Sequence, residues 1–405
     1  CGYRDLITFD MGGTSTDVAL VQGLSPRIGR ETKVGDLTVR ASSVDVRTVG
    51  AGGGSIAHVP ELTRALRVGP QSAGADPGPA AYGRGGTDPT VTDANVVLGY
   101  LPPSLAGGEI TLDVEAARAA VGKIADAMGL ASPEAAAAGI VDIVNENMLG
   151  GLRLVSVQQG FDPRDFALVA FGGAGPLHAN ALGRLTGAWP VIVPPSPGVL
   201  CALGDATTSK RSESARTVLR RFADLGSGDL GAILRELAAE AGARLAQQGV
   251  AEADQSVGYQ VDVRYHGQGF EIGVDVDPAW LDEPDPLARL AAAFDAEHER
   301  LFSFLLGTDH ELVNARATVS GPRPQVAAVT LPDADGDPVP TERHPIHISG
   351  ETVDAAVYDR ATLRAGHVIT GPAIVTEMDS TTLVLPGHAA TVHPSGSLLI
   401  NPVEA

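Results

Sequence analysis

Two cysteines, Cys1 and Cys201, are too few for a disulfide framework. Lysine is nearly absent: only Lys33, Lys123 and Lys210 occur, and 29 basic residues face 49 acidic ones, for a formal net charge of −20. Such a surface repels a phosphate backbone, which argues against general nucleic-acid binding. No apolar run approaches the roughly 20 residues that span a bilayer, and no charged segment with a signal-peptide core precedes the first motif. The expectation from these absences is a soluble, reducing, cytoplasmic setting, with neither nucleic acid nor membrane as a partner. Aromatic residues make up 4% of the chain against 49 glycines and 28 prolines, which favours loops built from backbone over an aromatic-lined groove. An initiator methionine is missing too. The chain opens Cys1-Gly2-Tyr3 and reaches a glycine motif almost at once, as a piece of a longer chain would.

What is present, at 405 residues, suffices for two or three domains with cores of their own. Leu6, Ile7 and Phe9 lead into Asp10-Met11-Gly12-Gly13-Thr14, and Val18, Ala19, Leu20 and Val21 follow, the pattern of a β-hairpin with a polar, glycine-bent tip. Residues 49–95 are loop-rich, and a stretch of that length inside a compact domain is either functional or disordered. Asp93 is placed as the N-cap of a short helix carrying Val96, Val97 and Leu98. Helical periodicity covers 113–128 and 133–159, and 166–171 reads as a buried strand running through a glycine turn into a helix over 177–185 and a strand over 191–193. Strands alternating with helices predict an α/β layer architecture for 1–205. A mixed α+β segment is expected over 206–330, with helices at 230–247 and 286–301 and a hairpin over 257–276. An acidic, proline-rich linker at 332–340 then leads to a small β domain over 341–405.

Two motifs carry chemistry. In Asp10-Met-Gly-Gly-Thr-Ser-Thr-Asp17, two glycines let backbone N–H groups approach an anion, Thr14 and Thr16 add hydroxyls, and Asp10 and Asp17 suit Mg²⁺. A phosphate cradle and a plain turn needing glycine and an Asx bend both fit that octapeptide. In Phe171-Gly172-Gly173-Ala174-Gly175-Pro176, a strand ends in glycines at a helix start, where a flat ligand can lie against backbone at the positive end of the helix dipole. A phosphate hairpin, then helices, then a strand-Gly-Gly-helix turn is the layout of the actin, sugar-kinase and Hsp70 ATPase superfamily. The Gly50 to Ser55 loop reads as an anion nest or as a glycine-bent connector. Asp76, in Ser72-Ala-Gly-Ala-Asp76-Pro, reads as a substrate-facing carboxylate or a buried Asx-turn. The histidines lack metal-ligand spacing, so no zinc is expected. No lysine is followed by Ser or Thr, and no Gly-x-Ser-x-Gly occurs, which removes the P-loop and the common hydrolase elbow.

Five segments in order resemble one family: Phe9-Asp-Met-Gly-Gly-Thr-Ser-Thr-Asp-Val18, Val49-Gly-Ala-Gly-Gly-Gly-Ser-Ile56, Val68-Gly-Pro-Gln-Ser-Ala-Gly-Ala-Asp-Pro-Gly-Pro79, Pro89-Thr-Val-Thr-Asp-Ala-Asn95 and Phe171-Gly-Gly-Ala-Gly-Pro-Leu-His-Ala179. They are similar to the hydantoinase A/5-oxoprolinase family, which also includes an acetone carboxylase subunit. The likeness continues through Arg264-Tyr-His-Gly-Gln268, Phe294-Asp-Ala-Glu-His298 and Gly371-Pro-Ala-Ile-Val-Thr-Glu377, across essentially the whole chain. It implies an actin-like, ribonuclease H-like nucleotide-binding half over 1–205, and an ATP- and Mg²⁺-dependent hydrolase subunit acting on a cyclic amide such as a hydantoin, 5-oxoproline or a lactam. A hydantoinase B type subunit or domain would complete ring opening. By the same resemblance Asp10, Gly12, Gly13, Thr14 and Thr16 hold phosphate and metal, with Asp10 catalytic, while Gly172, Gly173 and Gly175 contact the adenosine side; Asp17 is expected as a second metal carboxylate from the octapeptide itself. An ATP-dependent ketone carboxylase subunit and a non-catalytic assembly scaffold are the competing expectations. Members of the family carry a further N-terminal actin-like half, so this stretch alone implies half a cleft and little activity. Ala81 stands where many members have Cys, and Cys201 where Ser is usual.

Overall fold

The first hairpin forms because its apolar residues alternate. In the computed structural model, which describes residues 1–29, 32–34, 36–39, 43–105, 108–324 and 329–403, β1 (Leu6–Met11) and β2 (Thr16–Gln22) pair antiparallel with Asp10 opposite Asp17. Ile7, Phe9, Met11, Val18 and Leu20 point into one core, while Thr8, Asp10, Asp17 and Ala19 share the half-buried opposite face. β3 (Val46–Val49) pairs antiparallel with β2, and β6 (Ala167–Phe171) and β7 (Val191–Val193) follow β1 in parallel. The resulting strand order is third, second, first, fourth, fifth. Between them lie the short hairpin of β4 (Ser55–His58) and β5 (Arg67–Ser72) and three helices, α1 (Val91–Val97), α2 (Val114–Met128) and α3 (Pro133–Val155).

Helix α3 covers the sheet because Ile140, Val144, Met148 and Leu152 recur every fourth residue, and all four are buried. Each such side chain contributes roughly 1.5–3 kcal/mol of burial free energy. Helix α4 (Gly175–Thr186) returns from β6 to β7, and α5 (Leu200–Ala206) follows. The N-cap of α1 is Thr90, not Asp93. Asp93 is the third residue of a capping box and also accepts from the Ala80, Ala81 and Thr90 amides at 3.3, 2.7 and 2.9 Å. The 49–95 stretch is thus pinned by local hydrogen bonds instead of being structureless.

Residues 204–327 form a unit of their own. Strands β8 (Arg211–Arg221), β9 (Ser256–Tyr265), β10 (Ile272–Val276) and β11 (His310–Ser320) make an antiparallel sheet in the order β8-β11-β9-β10. Its core takes Leu230, Leu234 and Leu237 from α6 (Asp229–Gln247) and Leu290 and Phe294 from α7 (Pro286–Phe302).

The remaining segment is not the separate β domain expected over 341–405. Residues 328–405 cluster with 1–203, because β18 (Leu398–Pro402) pairs antiparallel with β7 and carries the first sheet on through β17 (His388–Val392) to β14 (Val368–Thr370). A second sheet of the same unit, β12 (Glu342–Ile348), β13 (Glu351–Asp359), β15 (Ala373–Thr376) and β16 (Thr381–Val384), shares its hydrophobic core. Asn180 of α4 accepts the Leu385 amide at 2.8 Å beside it.

Candidate functional site

The β1–β2 turn, residues 12–15, closes on one backbone bond, Gly12 N–H to Ser15 O at 3.0 Å. Among the described residues, the next three amides, of Gly13, Thr14 and Ser15, have no acceptor. The Gly50–Ser55 loop braces this tip from one side. Gly53 and Gly54 donate to the Gly12 and Gly13 carbonyls at 3.0 and 2.6 Å, Gly52 donates to Ser55 Oγ at 2.8 Å, and the Ala51 and Ser55 amides bond to Val49 and Gly52. The amides of residues 51–55 are all occupied within the protein, so the loop is a connector and not an anion nest. Gly52 lies so close that a Cβ there would stand 2.6–2.7 Å from backbone atoms of Gly13 and Thr14, which is why the loop needs glycine. Thr16 differs from expectation: its side chain is on the buried face and donates to Ala51 O at 2.6 Å, so it fixes the brace and offers nothing to a phosphate.

On the half-buried face of the hairpin, Asp10 and Asp17 are direct cross-strand partners, a register that sets their side chains next to one another. Asp17 Oδ1 accepts from Thr48 Oγ1 at 2.5 Å, and Asp10 Oδ2 accepts from the Cys201 thiol at 2.9 Å. That bond, with burial and the charges of Asp10 and Asp17 added, pushes the Cys201 thiol up to about 11. Gly172 comes against the other side of Asp10. It adopts φ +81°, and a Cβ there would collide with Asp10 Oδ1 and the Met11 carbonyl. Two adjacent carboxylates beside free backbone amides suit Mg²⁺, which takes one or two carboxylates and completes its octahedron with water and phosphate oxygens.

The tip opens into a cavity of about 810 Å³. Gly12, Gly13, Gly53 and Gly54 line one part; Thr92 and Asn95 of α1 and Gly173, Ala174 and Leu177 at the start of α4 line another; and the turn Glu377 to Ser380 between β15 and β16 closes on it. That turn is fastened from below. The Arg360 guanidinium meets Glu377 at 2.5 Å and donates to the Val193 and Gly396 carbonyls at 2.8 and 2.9 Å, while Glu377 Oε2 accepts the Ser196 amide at 3.1 Å. Behind the α1 wall, His178 is 2% exposed, and burial lowers its pKa to about 4. Its Nδ1 faces Asn145 Oδ1 at 2.8 Å and its Nε2 faces Asn95 Nδ2 at 3.2 Å.

Comparison with known proteins adds the lineage. Residues 1–214 match the hydantoinase/oxoprolinase family, and residues 226–399 match the hydantoinase/oxoprolinase C-terminal domain. The chain belongs to the hydantoinase/oxoprolinase family. Its relatives include the caprolactamase subunit alpha of Pseudomonas jessenii, 35% identical over 99% of this chain and 59% of that one. The acetophenone carboxylase gamma subunit of Aromatoleum aromaticum is 34% identical over 95% and 54%, and 5-oxoprolinase 1 of Arabidopsis thaliana 32% identical over 98% and 32%. Among solved structures, the ATP-dependent caprolactamase of Pseudomonas jessenii superposes with a TM-score of 0.83 at 34% identity, covering 100% of this chain and 59% of that one. Nucleotide-free acetone carboxylase follows at 0.79 and 25%, covering 99% and 59%. The chain thus spans less than two thirds of the length of these relatives.

Of the residues singled out in this hydantoinase/oxoprolinase sequence, the fold gathers Asp10, Gly12, Gly13, Thr14, Asp17, Gly172 and Gly173 about the hairpin, and of these Gly12, Gly13 and Gly173 line the cavity. Gly175 lies inside the α4–β1 contact, with a Cβ there 3.6 Å from Met11 N and a Phe9 ring carbon, so it packs helix on strand. Asp76 is exposed and lies outside the cavity lining, although Gly74 and Pro79 beside it belong to that lining. Asn95, His178 and Glu377 were overlooked as site residues. All three lie within the family segments, and no local signal marked Asn95, since α1 carries Thr92 and Asp93 as well.

Proposed function

We propose that this chain is the phosphate- and adenosine-binding half of an actin-like ATPase, within an ATP- and Mg²⁺-dependent enzyme subunit that activates the carbonyl oxygen of a cyclic amide by phosphorylation. The observation that carries the reading is the run of three acceptor-free amides, Gly13 to Ser15, next to the Asp10–Asp17 pair. Backbone N–H groups converging on a glycine turn are what a chain with so few cations uses to hold phosphate oxygens. The third-second-first-fourth-fifth strand order, with the glycine turn of β6 beside the hairpin tip, supports the actin-like assignment.

In the proposed reaction the amide oxygen attacks the γ-phosphorus, the bond to the β-phosphate oxygen breaks and ADP leaves. Water then adds to the activated carbon, the ring C–N bond breaks as the nitrogen takes a proton and leaves as the amine, and a second water hydrolyses the resulting acyl phosphate to the carboxylate and inorganic phosphate. Mg²⁺ held by Asp10 and Asp17 would neutralise charge on the β- and γ-phosphates. The chain's own contribution is positional: the Gly52–Gly54 brace holds the tip amides in place before the nucleotide arrives, so little reorganisation is needed at the transition state. A partner of the hydantoinase B type would carry out ring opening, in keeping with relatives named as subunits.

A second reading, an ATP-dependent ketone carboxylase subunit, draws on the acetophenone and acetone carboxylase relatives. The test is ATP hydrolysis by the complete assembly, with a lactam, hydantoin or 5-oxoproline in one arm and a ketone with bicarbonate in the other. Stimulation by a cyclic amide, lost by about 10²–10³-fold in Asp10→Ala, is the expected result. Stimulation by the ketone alone replaces it with the second reading. Nucleotide binding and the activity of the assembly both unchanged in Asp10→Ala leave a scaffold.

A further inference from the structure

Asn95 is 2% exposed, lines the cavity, and its Oδ1 has no hydrogen-bond partner. A buried acceptor left without a donor is destabilising, and its orientation here is not free. His178 is neutral at physiological pH because burial holds its pKa at about 4, so its ring has one donor and one acceptor. Asn145 Oδ1, 2.8 Å away, can only accept, which places the ring proton on Nδ1. The bare Nε2 then accepts from Asn95 Nδ2 at 3.2 Å. With its amide nitrogen engaged, Asn95 is left with an Oδ1 that no protein donor meets, in a residue that lines the cavity. The relay joins three helices, α3, α4 and α1, and its outcome is one fixed acceptor.

The acceptor's place selects the occupant. Gly53 donates to the Gly12 carbonyl of the tip, and Thr92 bonds to the Gly53 carbonyl through both its amide, at 2.7 Å, and its hydroxyl, at 2.9 Å. Asn95 follows Thr92 at i+3, on the same side of α1 and one turn farther from the phosphate end. Around it the lining turns apolar, with Leu101, Pro102, Ile110 and Leu177. At about 810 Å³ the cavity falls in the range of about 300–1,000 Å³ that holds drug-sized ligands, much more than a small cyclic amide fills. A nucleotide with phosphates at the tip fits both the size and the polarity.

We infer that Asn95 Oδ1 reads the exocyclic amino group of adenine, with His178 and Asn145 as the positioning residues that keep that acceptor turned toward the base. This rests on the nucleotide reading above. A 6-oxo purine sets a carbonyl oxygen against Asn95 Oδ1 where the adenine amine would donate, so the site selects against guanine and hypoxanthine.

The test is equilibrium binding to the complete subunit with Mg²⁺, using ATP, ITP, GTP and purine riboside triphosphate, which lacks the amino group. ATP is expected to bind at least about tenfold tighter than ITP or GTP, with purine riboside triphosphate between them. In Asn95→Ala the ATP to ITP ratio should fall to within about twofold, with purine riboside triphosphate affinity little changed. Equal affinity of the wild-type subunit for ATP and ITP overturns the inference without a variant having to fold, and leaves the nucleotide reading standing. So does an Asn95→Ala variant that raises KM for the cyclic amide and leaves every nucleotide affinity as it was. Failure of all four nucleotides to bind removes the nucleotide reading and this inference with it.

Discussion

Cys201 Sγ lies 2.9 Å from Asp10 Oδ2, so the Asp10 carboxylate of the hairpin accepts a hydrogen bond from the chain's second thiol. The carboxylate gains a weak donor that fixes its rotamer. The thiol, in turn, is kept from ionising, pushed up to about 11 chiefly by that hydrogen bond.

Cys201 should therefore alkylate slowly although it is exposed. Reactivity follows the thiolate fraction, and a shift from the ordinary thiol range to about 11 lowers that fraction at pH 8 by roughly 100-fold. In a Cys1→Ser background, iodoacetamide labelling followed by mass spectrometry should show this lag. Asp10→Ala should recover most of the rate, since it removes both the acceptor and the nearest negative charge. Labelling at the rate of a free thiol in the unchanged protein would show that the Asp10 contact does not persist in solution.

Gly172 and Gly173 should respond differently to the same substitution. Alanine at 172 meets a φ of +81° and collides with Asp10 Oδ1 and the Met11 carbonyl; alanine at 173 meets only Asp379 O, at 3.6 Å. Gly172→Ala should cost about 1–3 kcal/mol in urea unfolding and displace the Asp10 carboxylate, with loss of Mg²⁺-dependent nucleotide binding. Gly173→Ala should unfold within about 0.5 kcal/mol of the parent. Equal costs would mean that the turn relaxes away from Asp10.

Much of this site was legible in local pattern. Period-two alternation marks β1 and β2, and the four-residue spacing of Ile140, Val144, Met148 and Leu152 marks α3. The same alternation had the information to correct Thr16: it shares parity with Val18 and Leu20, so its side chain had to point inward whatever its hydroxyl suggested. What could not be read was non-local. The pairing of Val191 with Ile400, which merges the C-terminal strands into the first sheet, joins segments whose sequences carry no mark of one another. The brace of Gly53 on Gly12 is likewise a backbone contact between loops, and backbone contacts leave only glycine as their trace. Asn95 sat in a quoted segment, yet its role needs His178 and Asn145, which the fold alone brings together.

The Arg360–Glu377 pair offers a test of how the cavity turn is held. Burial lowers the Arg360 pKa and raises that of Glu377, and each charge opposes the shift of the other. A pair this buried is worth little against an apolar replacement, but breaking it strands a charge at about 3–5 kcal/mol. Arg360→Met alone should lower stability by that order, and the Arg360→Met/Glu377→Met double variant should recover a large part of it. A double variant as unstable as the sum of the singles would show that the backbone bonds of Arg360 to Val193 and Gly396, not the pair, fasten the turn.

His178 makes stability depend on pH in a direction that follows from its burial. Its folded pKa is lowered, to about 4 from the ordinary 6.5, so between those values the unfolded chain binds more protons than the folded one. Stability contributed by the neutral imidazole is therefore fully present above about pH 6.5 and is lost as pH falls toward 4, with a slope of about 1.4 kcal/mol per pH unit and a total of about 3 kcal/mol. His178→Gln places a neutral amide at the same junction and should flatten that slope while leaving stability at pH 7.5 lower by the cost of an imperfect fit. The chain has two tryptophans. Trp189 packs 5.3 Å from the His388 ring in the unit that contains His178, whereas Trp280 belongs to residues 204–327. Urea unfolding followed by Trp189 emission in a Trp280→Phe background thus reads the right unit alone. If His178→Gln retains the full slope between pH 6.5 and 4, the titrating group lies elsewhere, and the neutral imidazole that orients Asn95 loses its support.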